Sequence, residues 1–155
     1  MPAPLVWLMI VALAVAAVPP PSAQKVVGKL RVEITLDKAT YLRGESVTVR
    51  LTARNEGESP TRVQFSSGQR FDLIIRRRGA LIWRWSHDKA FIQKVDDVTL
   101  GPGETLTFRA TWEQLDLQGR RVDPGEYEAA GVFLGRASDA QGSIETPPLA
   151  FQIRE

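Results

Sequence analysis

The composition of this 155-residue chain limits the classes of protein to which it can belong. It is 43% hydrophobic and 25% charged, which is ordinary for one globular domain and too little for two well-packed ones. Lys and Arg number 20 against 18 Asp and Glu, so the net charge of +2 provides little long-range attraction to nucleic acid or anionic lipid. The absence of cysteine excludes disulfides, thiolate metal sites and a lipid-modified cysteine.

The first 23 residues are predicted to form a signal peptide. An uninterrupted apolar run over residues 5–18 is followed at once by three prolines. The run is shorter than the roughly 20 apolar residues of a membrane-spanning helix, and proline cannot continue a helix. We therefore expect cleavage after Ala23 and an exported protein, periplasmic, cell-surface or secreted, without a stable membrane span. Because no Lys or Arg precedes Leu5, an uncleaved N-terminal membrane anchor is the alternative.

From Lys25 onward the apolar period is two residues, which is typical of strands that bury one face. Alternating runs follow in chain order at residues 30–36, 47–53, 63–65, 71–75, 83–85, 106–110, 127–133 and 149–153. No stretch offers the ten or more residues of helical period that a parallel β-α-β unit needs, so neighbouring strands pair locally. The pattern predicts an all-β protein, an immunoglobulin-like antiparallel sandwich of about seven or eight strands over residues 24–155.

The sequence offers little for catalysis. Ser86, His87 and Asp88 contain the residue types of a hydrolytic triad, but neighbours in an extended segment point to opposite sides. His87 is the only histidine, so no second imidazole is available for acid-base or metal chemistry. We expect a protein that is not an enzyme and has no catalytic residues.

Metal and nucleic-acid sites are equally weak. Asp88, Asp96 and Asp97 do not have the spacing of a calcium loop, and we expect no metal and no cofactor. A basic run at residues 76–78 lies close to Trp83 and Trp85, but alternation predicts that both tryptophans belong to the core. We therefore expect no nucleic-acid partner.

Several motifs follow one another between residues 66 and 127. They comprise Ser67, Gly68, Gln69, Arg70, Phe71 and Asp72; Trp83, Trp85 and Ser86 with Phe91 and Gln93; Pro102, Gly103 and Glu104 with Trp112; and Pro124, Gly125 and Tyr127. In this order they resemble the bacterial intracellular proteinase inhibitor family named for the Bacillus subtilis protein. The resemblance implies an immunoglobulin-like sandwich and, for the founding member, inhibition of a serine protease.

The matching residues are mainly of the kinds that a fold requires. Glycine at position 68 suits a turn, Phe71 and the tryptophans suit a core, and Asp72 and Ser86 can form hydrogen bonds that close a loop. The family's name also conflicts with the predicted export. The partner expected from the resemblance is a protein, namely a serine protease.

An inhibitor of this size would act through a preorganised loop that fills the cleft of the protease. The exposed dibasic segment Gln118, Gly119, Arg120 and Arg121 is one candidate, since arginine suits a trypsin-like specificity pocket. Residues 66–70 and 87–97 are further candidates. The alternative function is a non-inhibitory adhesion or assembly module of the bacterial cell envelope, which would use a sheet face or an edge strand.

Overall fold

The computed structural model describes residues 11–14, 16–140 and 142–155. Residues 1–10 and 15 of the predicted signal peptide lie outside the described residues. The strands are β1 (Ser22–Val27), β2 (Leu30–Leu36), β3 (Thr40–Leu42), β4 (Val47–Asn55), β5 (Thr61–Phe65), β6 (Phe71–Arg77), β7 (Ala80–Arg84), β8 (Asp96–Leu100), β9 (Thr105–Trp112), β10 (Gly125–Phe133), β11 (Arg136–Ala137), β12 (Ile144–Glu145) and β13 (Leu149–Arg154). A 3₁₀ turn, Trp85–Asp88, follows β7.

The strands form two large sheets and one small one. The first has the order β1-β2-β4-β9, and the second has the order β3-β13-β10-β6-β7 with β12 beside β10. The small sheet has the order β11-β5-β8. Apart from the parallel pair β3 and β13, the strand pairs of the described residues are antiparallel. The predicted all-β antiparallel sandwich is therefore confirmed.

The period-two pattern explains how the sandwich encloses its core. On β2 and β4 every second side chain is apolar and buried, apart from the polar Asn55 at the end of β4, and the side chains between them point to the outer face. They join one core with the inner residues of β6, β10 and β13 from the second sheet. Trp112 lies at its centre, with ring centroids 5.9 Å from Tyr127 and 6.2 Å from Phe151.

Strands β1, β3 and β8 and the two-residue strands β11 and β12 go beyond the sequence prediction. β1 is mostly exposed, so it lacks a buried alternating face, and it pairs with β2 from Ser22↔Thr35 to Val27↔Leu30. The expected boundary between Ala23 and Gln24 falls within this strand. Backbone pairing at a sheet edge leaves little trace in a hydrophobic pattern.

Candidate functional site

A buried carboxylate anchors the 3₁₀ turn to the second sheet. Asp72 on β6 is 4% exposed, and its Oδ1 accepts hydrogen bonds from the backbone N–H groups of Leu73 at 2.9 Å and Ser86 at 3.1 Å. Its Oδ2 accepts a third from the Ser86 hydroxyl at 2.6 Å. Asp72 and Ser86, which belong to separate sequence motifs, thus fix the start of the segment that follows β7.

Stacked aromatic rings support the same segment. Trp85 stacks on Phe71 with centroids 4.2 Å apart, and Phe71 stacks on Phe108 of β9 at 4.8 Å. Phe91 lies 5.8 Å from Trp85 on the outer side, and the Lys89 ammonium lies 4.7 Å from the same indole ring. The stack connects the core to residues 89–95, which have no regular secondary structure. We call residues 89–95 the apolar loop.

The middle of the apolar loop is held by the loop that precedes β6. The Gly68 N–H donates a hydrogen bond of 2.7 Å to the Ile92 carbonyl oxygen, which also accepts one from the Lys94 N–H at 3.1 Å. Gln69 holds the supporting loop, because its N–H bonds to Ser67 Oγ and its side-chain amide bonds to the Phe71 carbonyl. The two candidate segments 66–70 and 87–97 therefore form one surface.

The apolar loop presents hydrophobic side chains to solvent. Ile92 is 76% exposed and Val95 is 59% exposed, whereas Phe91 is partly covered by the aromatic stack. Gln93 between them is exposed as well. Isolated apolar residues on a surface are common. Here, however, they lie on a loop whose backbone is held by the Gly68 hydrogen bond. Residues from several of the sequence motifs, Gly68, Asp72 and Trp85 among them, support this loop.

Two ion pairs hold the end of the apolar loop at β8. Arg70 contacts Asp96 at 2.5 Å while its guanidinium lies 4.2 Å from the Phe65 ring, and Arg62 contacts Asp97 at 2.5 Å. Hydrogen bonds from these arginines hold the pKa of each aspartate below its usual range. No cluster of three or more His, Cys, Asp or Glu side chains suited to a metal ion occurs in the described part of the chain.

The dibasic segment Gln118, Gly119, Arg120 and Arg121 lies elsewhere, in a closed hairpin turn. Asp116 Oδ1 accepts hydrogen bonds of 2.9 Å from the N–H groups of Gln118 and Arg120, and these bonds hold the pKa of Asp116 low. The Arg120 side chain folds back to Asp116 Oδ2 at 3.2 Å, and Gly119 has φ +78°. This turn is compact and internally bonded, unlike the extended segment that a protease cleft accepts.

The other motif residues lie away from the apolar loop. Tyr127 donates a hydrogen bond to the Asp123 carbonyl and closes the turn that contains Pro124 and Gly125. The turn at Pro102, Gly103 and Glu104 is tied to the end of β4. Trp83 and Trp112 are buried in the core, with centroids 6.3 Å apart.

Two buried polar side chains were not singled out from the sequence. Asn55 bonds to the backbone of Gly57 and Ser59 in the β4–β5 turn and to Leu100 at the end of β8, and so joins two connections at one end of the sandwich. Gln114 has φ +57° and bonds to Leu42, Gly44 and Glu45. Nothing in a single sequence marks such residues, because their partners are backbone groups distant in the chain.

Comparison with protein families identifies the family to which the chain belongs. The intracellular proteinase inhibitor family, BsuPI, matches residues 34–138, which is more than half of the chain. The chain belongs to this family, and the resemblance seen in the motifs is confirmed. The description of the family is that of a proteinase inhibitor.

The family also corrects the predicted location. It is described as intracellular, so the expectation of an exported protein was wrong. The apolar run at residues 5–18 was the basis of that expectation, and an apolar run alone does not determine where a protein resides. Within the described residues, no helix has both the length and the apolar character needed to cross a membrane.

Solved structures with low sequence identity share aspects of the fold. The sporulation control protein Spo0M of Bacillus subtilis is 18% identical with a TM-score of 0.47, over 83% of this chain and 51% of that one. A CARDB domain from Pyrococcus furiosus is 14% identical with a TM-score of 0.43, over 84% and 94%. A β-glucosidase of Erythrobacter marinus, 18% identical with a TM-score of 0.41, matches over 87% of this chain but only 16% of its own.

The chain thus spans less than two thirds of the β-glucosidase and of Spo0M. At these identities the likeness concerns the fold alone. No protein of curated function matches the chain.

Proposed function

We propose that this protein inhibits a serine protease by inserting the apolar loop, with Ile92 at its tip, into the substrate cleft. The observation that carries the proposal is the contrast at Ile92, whose side chain is 76% exposed while its carbonyl oxygen is held by Gly68. Membership of the inhibitor family supports inhibition of a protease, and the geometry of the apolar loop supports this loop as the contact with the protease. Ile92 fits an apolar specificity pocket, as in a subtilisin-like protease.

The physical basis is preorganisation. A loop that is already pinned by Gly68, Trp85 and Asp72 loses little conformational entropy when it enters a cleft. Burial of an isoleucine side chain contributes about 1.5–3 kcal/mol, which the exposed Ile92 can gain only in a complex. Val95, which is also exposed on the apolar loop, would add to the apolar area buried in the complex.

The direction of the Ile92 carbonyl determines the mode of inhibition. A substrate-like inhibitor points the carbonyl of its scissile bond into the oxyanion hole of the protease. Here the Ile92 oxygen accepts hydrogen bonds from Gly68 and Lys94 within the inhibitor itself. The apolar loop therefore blocks the cleft with its side chains and withholds the bond between Ile92 and Gln93 from attack.

The dibasic segment provides the matched comparison. A trypsin-like protease would need Arg120 or Arg121 extended, but the turn holds Arg120 against Asp116. The full-length chain is therefore titrated against a subtilisin-like and a trypsin-like serine protease, with residual activity on a small chromogenic substrate as the readout. We expect stoichiometric inhibition of the subtilisin-like enzyme.

Two variants locate the contact. Ile92→Asp puts a charge at the loop tip and should weaken inhibition at least about a hundredfold, because a desolvated, unpaired carboxylate costs several kcal/mol. The double variant Arg120→Gln with Arg121→Gln should inhibit like the wild type. Mass spectrometry of the complex should show an intact bond after Ile92. Inhibition that survives Ile92→Asp but is lost in the double variant would move the contact to the dibasic turn.

A further inference from the structure

The outer face of the first sheet carries a row of side chains that serves neither the core nor the apolar loop. Cross-strand pairing aligns Thr35 of β2 with Arg50 of β4, and Arg50 with Arg109 of β9. The next row places Thr48 opposite Thr111. All of these side chains point away from the core, because their neighbours in each strand alternate inward.

The two arginines in this row are directly opposite each other. Side chains in this relation have Cβ atoms about 4.5–5.5 Å apart, and like charges there are destabilising. Within the described residues, neither guanidinium has a carboxylate oxygen within 4.0 Å. By contrast, Arg31 and Arg54 on the same face share Glu56 at 2.5 and 3.4 Å.

A cleft of about 270 Å³ lies beside the pair. It is lined by Arg50, Arg109, Thr35, Thr48, Asp37 and Pro20. Asp37 also borders the cleft, and its Oδ1 accepts hydrogen bonds from the Tyr41 hydroxyl at 2.5 Å and the Thr48 N–H at 3.1 Å. Its carboxylate offsets part of the positive charge without forming an ion pair with either arginine. Two positive charges, one carboxylate and two hydroxyl groups thus border one concave space, which leaves it a net positive charge.

We infer that this cleft binds a phosphate group, either as inorganic phosphate or as a small phosphate monoester. Two guanidinium groups match the double negative charge, and each can offer two parallel N–H donors to phosphate oxygens. The hydroxyl groups of Thr35 and Thr48 supply further donors. The site is independent of the proposed protease contact, which involves the second sheet and the loop before β8.

The experiment measures phosphate binding to the full-length chain by calorimetry and by the melting temperature, at low ionic strength. Inorganic phosphate and glycerol phosphate are titrated separately, and sodium chloride of equal ionic strength controls for screening. Arg50→Gln and Arg109→Gln each remove one of the opposed charges. Arg62→Gln is the matched control, because it removes the same charge from β5, where Arg62 pairs with Asp97.

Phosphate should raise the melting temperature of the wild type and of Arg62→Gln alike. Arg50→Gln and Arg109→Gln should each weaken binding at least about tenfold, since a hydrogen bond to a charged group contributes about 1.5–3 kcal/mol. Without phosphate, both should melt above the wild type, because the repulsion between the two arginines is gone. Tighter binding of glycerol phosphate than of phosphate would identify the monoester as the ligand.

Equal stabilisation of all four proteins by phosphate, or an equal rise with sodium chloride, would overturn the inference. Asp37→Asn gives a second measure that does not depend on loss of binding. Removal of its negative charge from the cleft should tighten phosphate binding if the anion sits between the arginines. An unchanged affinity in Asp37→Asn would contradict that position.

Discussion

At the scale of the residue, Asn55 illustrates how one buried side chain closes several connections. It is fully buried at the end of β4, and its amide donates hydrogen bonds of 2.9 Å to the carbonyl oxygens of Ser59 and Leu100. Its Oδ1 accepts one from the Gly57 N–H. A single amide thus satisfies three backbone groups, two in the β4–β5 turn and one at the end of β8.

We expect Asn55→Ala to lower the free energy of unfolding by about 2–4 kcal/mol, because buried groups left without partners cost about 1–3 kcal/mol each. Urea denaturation followed by tryptophan fluorescence measures this loss. Asn55→Asp is the informative comparison, since it keeps the acceptor for Gly57 but loses both donors. A loss below about 1 kcal/mol in the alanine variant would mean that water replaces the amide.

The same residue marks the limit of sequence reasoning. The alternation of buried residues along β2 and β4 was predictable, because one face of each strand packs in the core. The roles of Asn55 and Gln114 were not, because both depend on backbone groups brought together only by folding. Ile92 was beyond prediction for a different reason: an isoleucine is expected inside, and its exposure is a property of the folded loop.

At the scale of the element, the apolar loop behaves as one unit with the loop before β6. Their connection is the hydrogen bond from the Gly68 N–H to the Ile92 carbonyl. The motif containing Gly68 was recognisable in the sequence, and the glycine was assigned to a turn. The structure adds that its N–H supports a segment more than twenty residues later, which spacing alone could not indicate.

Gly68→Pro removes this donor, and we expect the apolar loop to loosen while the sandwich stays folded. Hydrogen exchange at the Lys94 amide, which bonds to the same carbonyl, should become faster, and inhibition should weaken about tenfold through loss of preorganisation. Gly68→Ala is the control: it keeps the N–H, and its Cβ would lie 3.4 Å from the Ile92 oxygen, an ordinary contact. Equal effects of both variants would show that the space at Gly68 matters rather than its hydrogen bond.

At the scale of the whole molecule, the two large sheets enclose a common core, to which strands from β2 to β13 contribute buried side chains. β10 approaches β4 so closely that a Cβ at Gly131 would clash with the Leu51 side chain. β1 stands outside this arrangement, as an exposed strand on the edge of the first sheet. The extent of the folding unit at its N-terminal side therefore depends on how much β1 contributes.

Chains that start at Gln24 and at Gly28 test the prediction that residues 24–155 form the folded domain. The first keeps four of the six β1–β2 pairs, from Gln24↔Glu33 to Val27↔Leu30, and should match the full-length chain within about 1 kcal/mol. The second loses all six pairs, each worth about 0.2–1 kcal/mol, and should be destabilised by about 2 kcal/mol. Guanidinium unfolding curves of the three chains measure the difference.

The loss of β1 also has a consequence for association. Without it, β2 becomes the edge of the first sheet and exposes a row of unpaired backbone groups that a second molecule can pair with. The chain starting at Gly28 should therefore self-associate at concentrations where the other two remain monomeric, as measured by sedimentation velocity. If it instead stays monomeric and as stable as the full-length chain, the domain begins at β2. If the chain starting at Gln24 fails to fold, residues before it belong to the domain, because Ala23 packs against the core and the Leu36 N–H bonds to the Pro21 carbonyl.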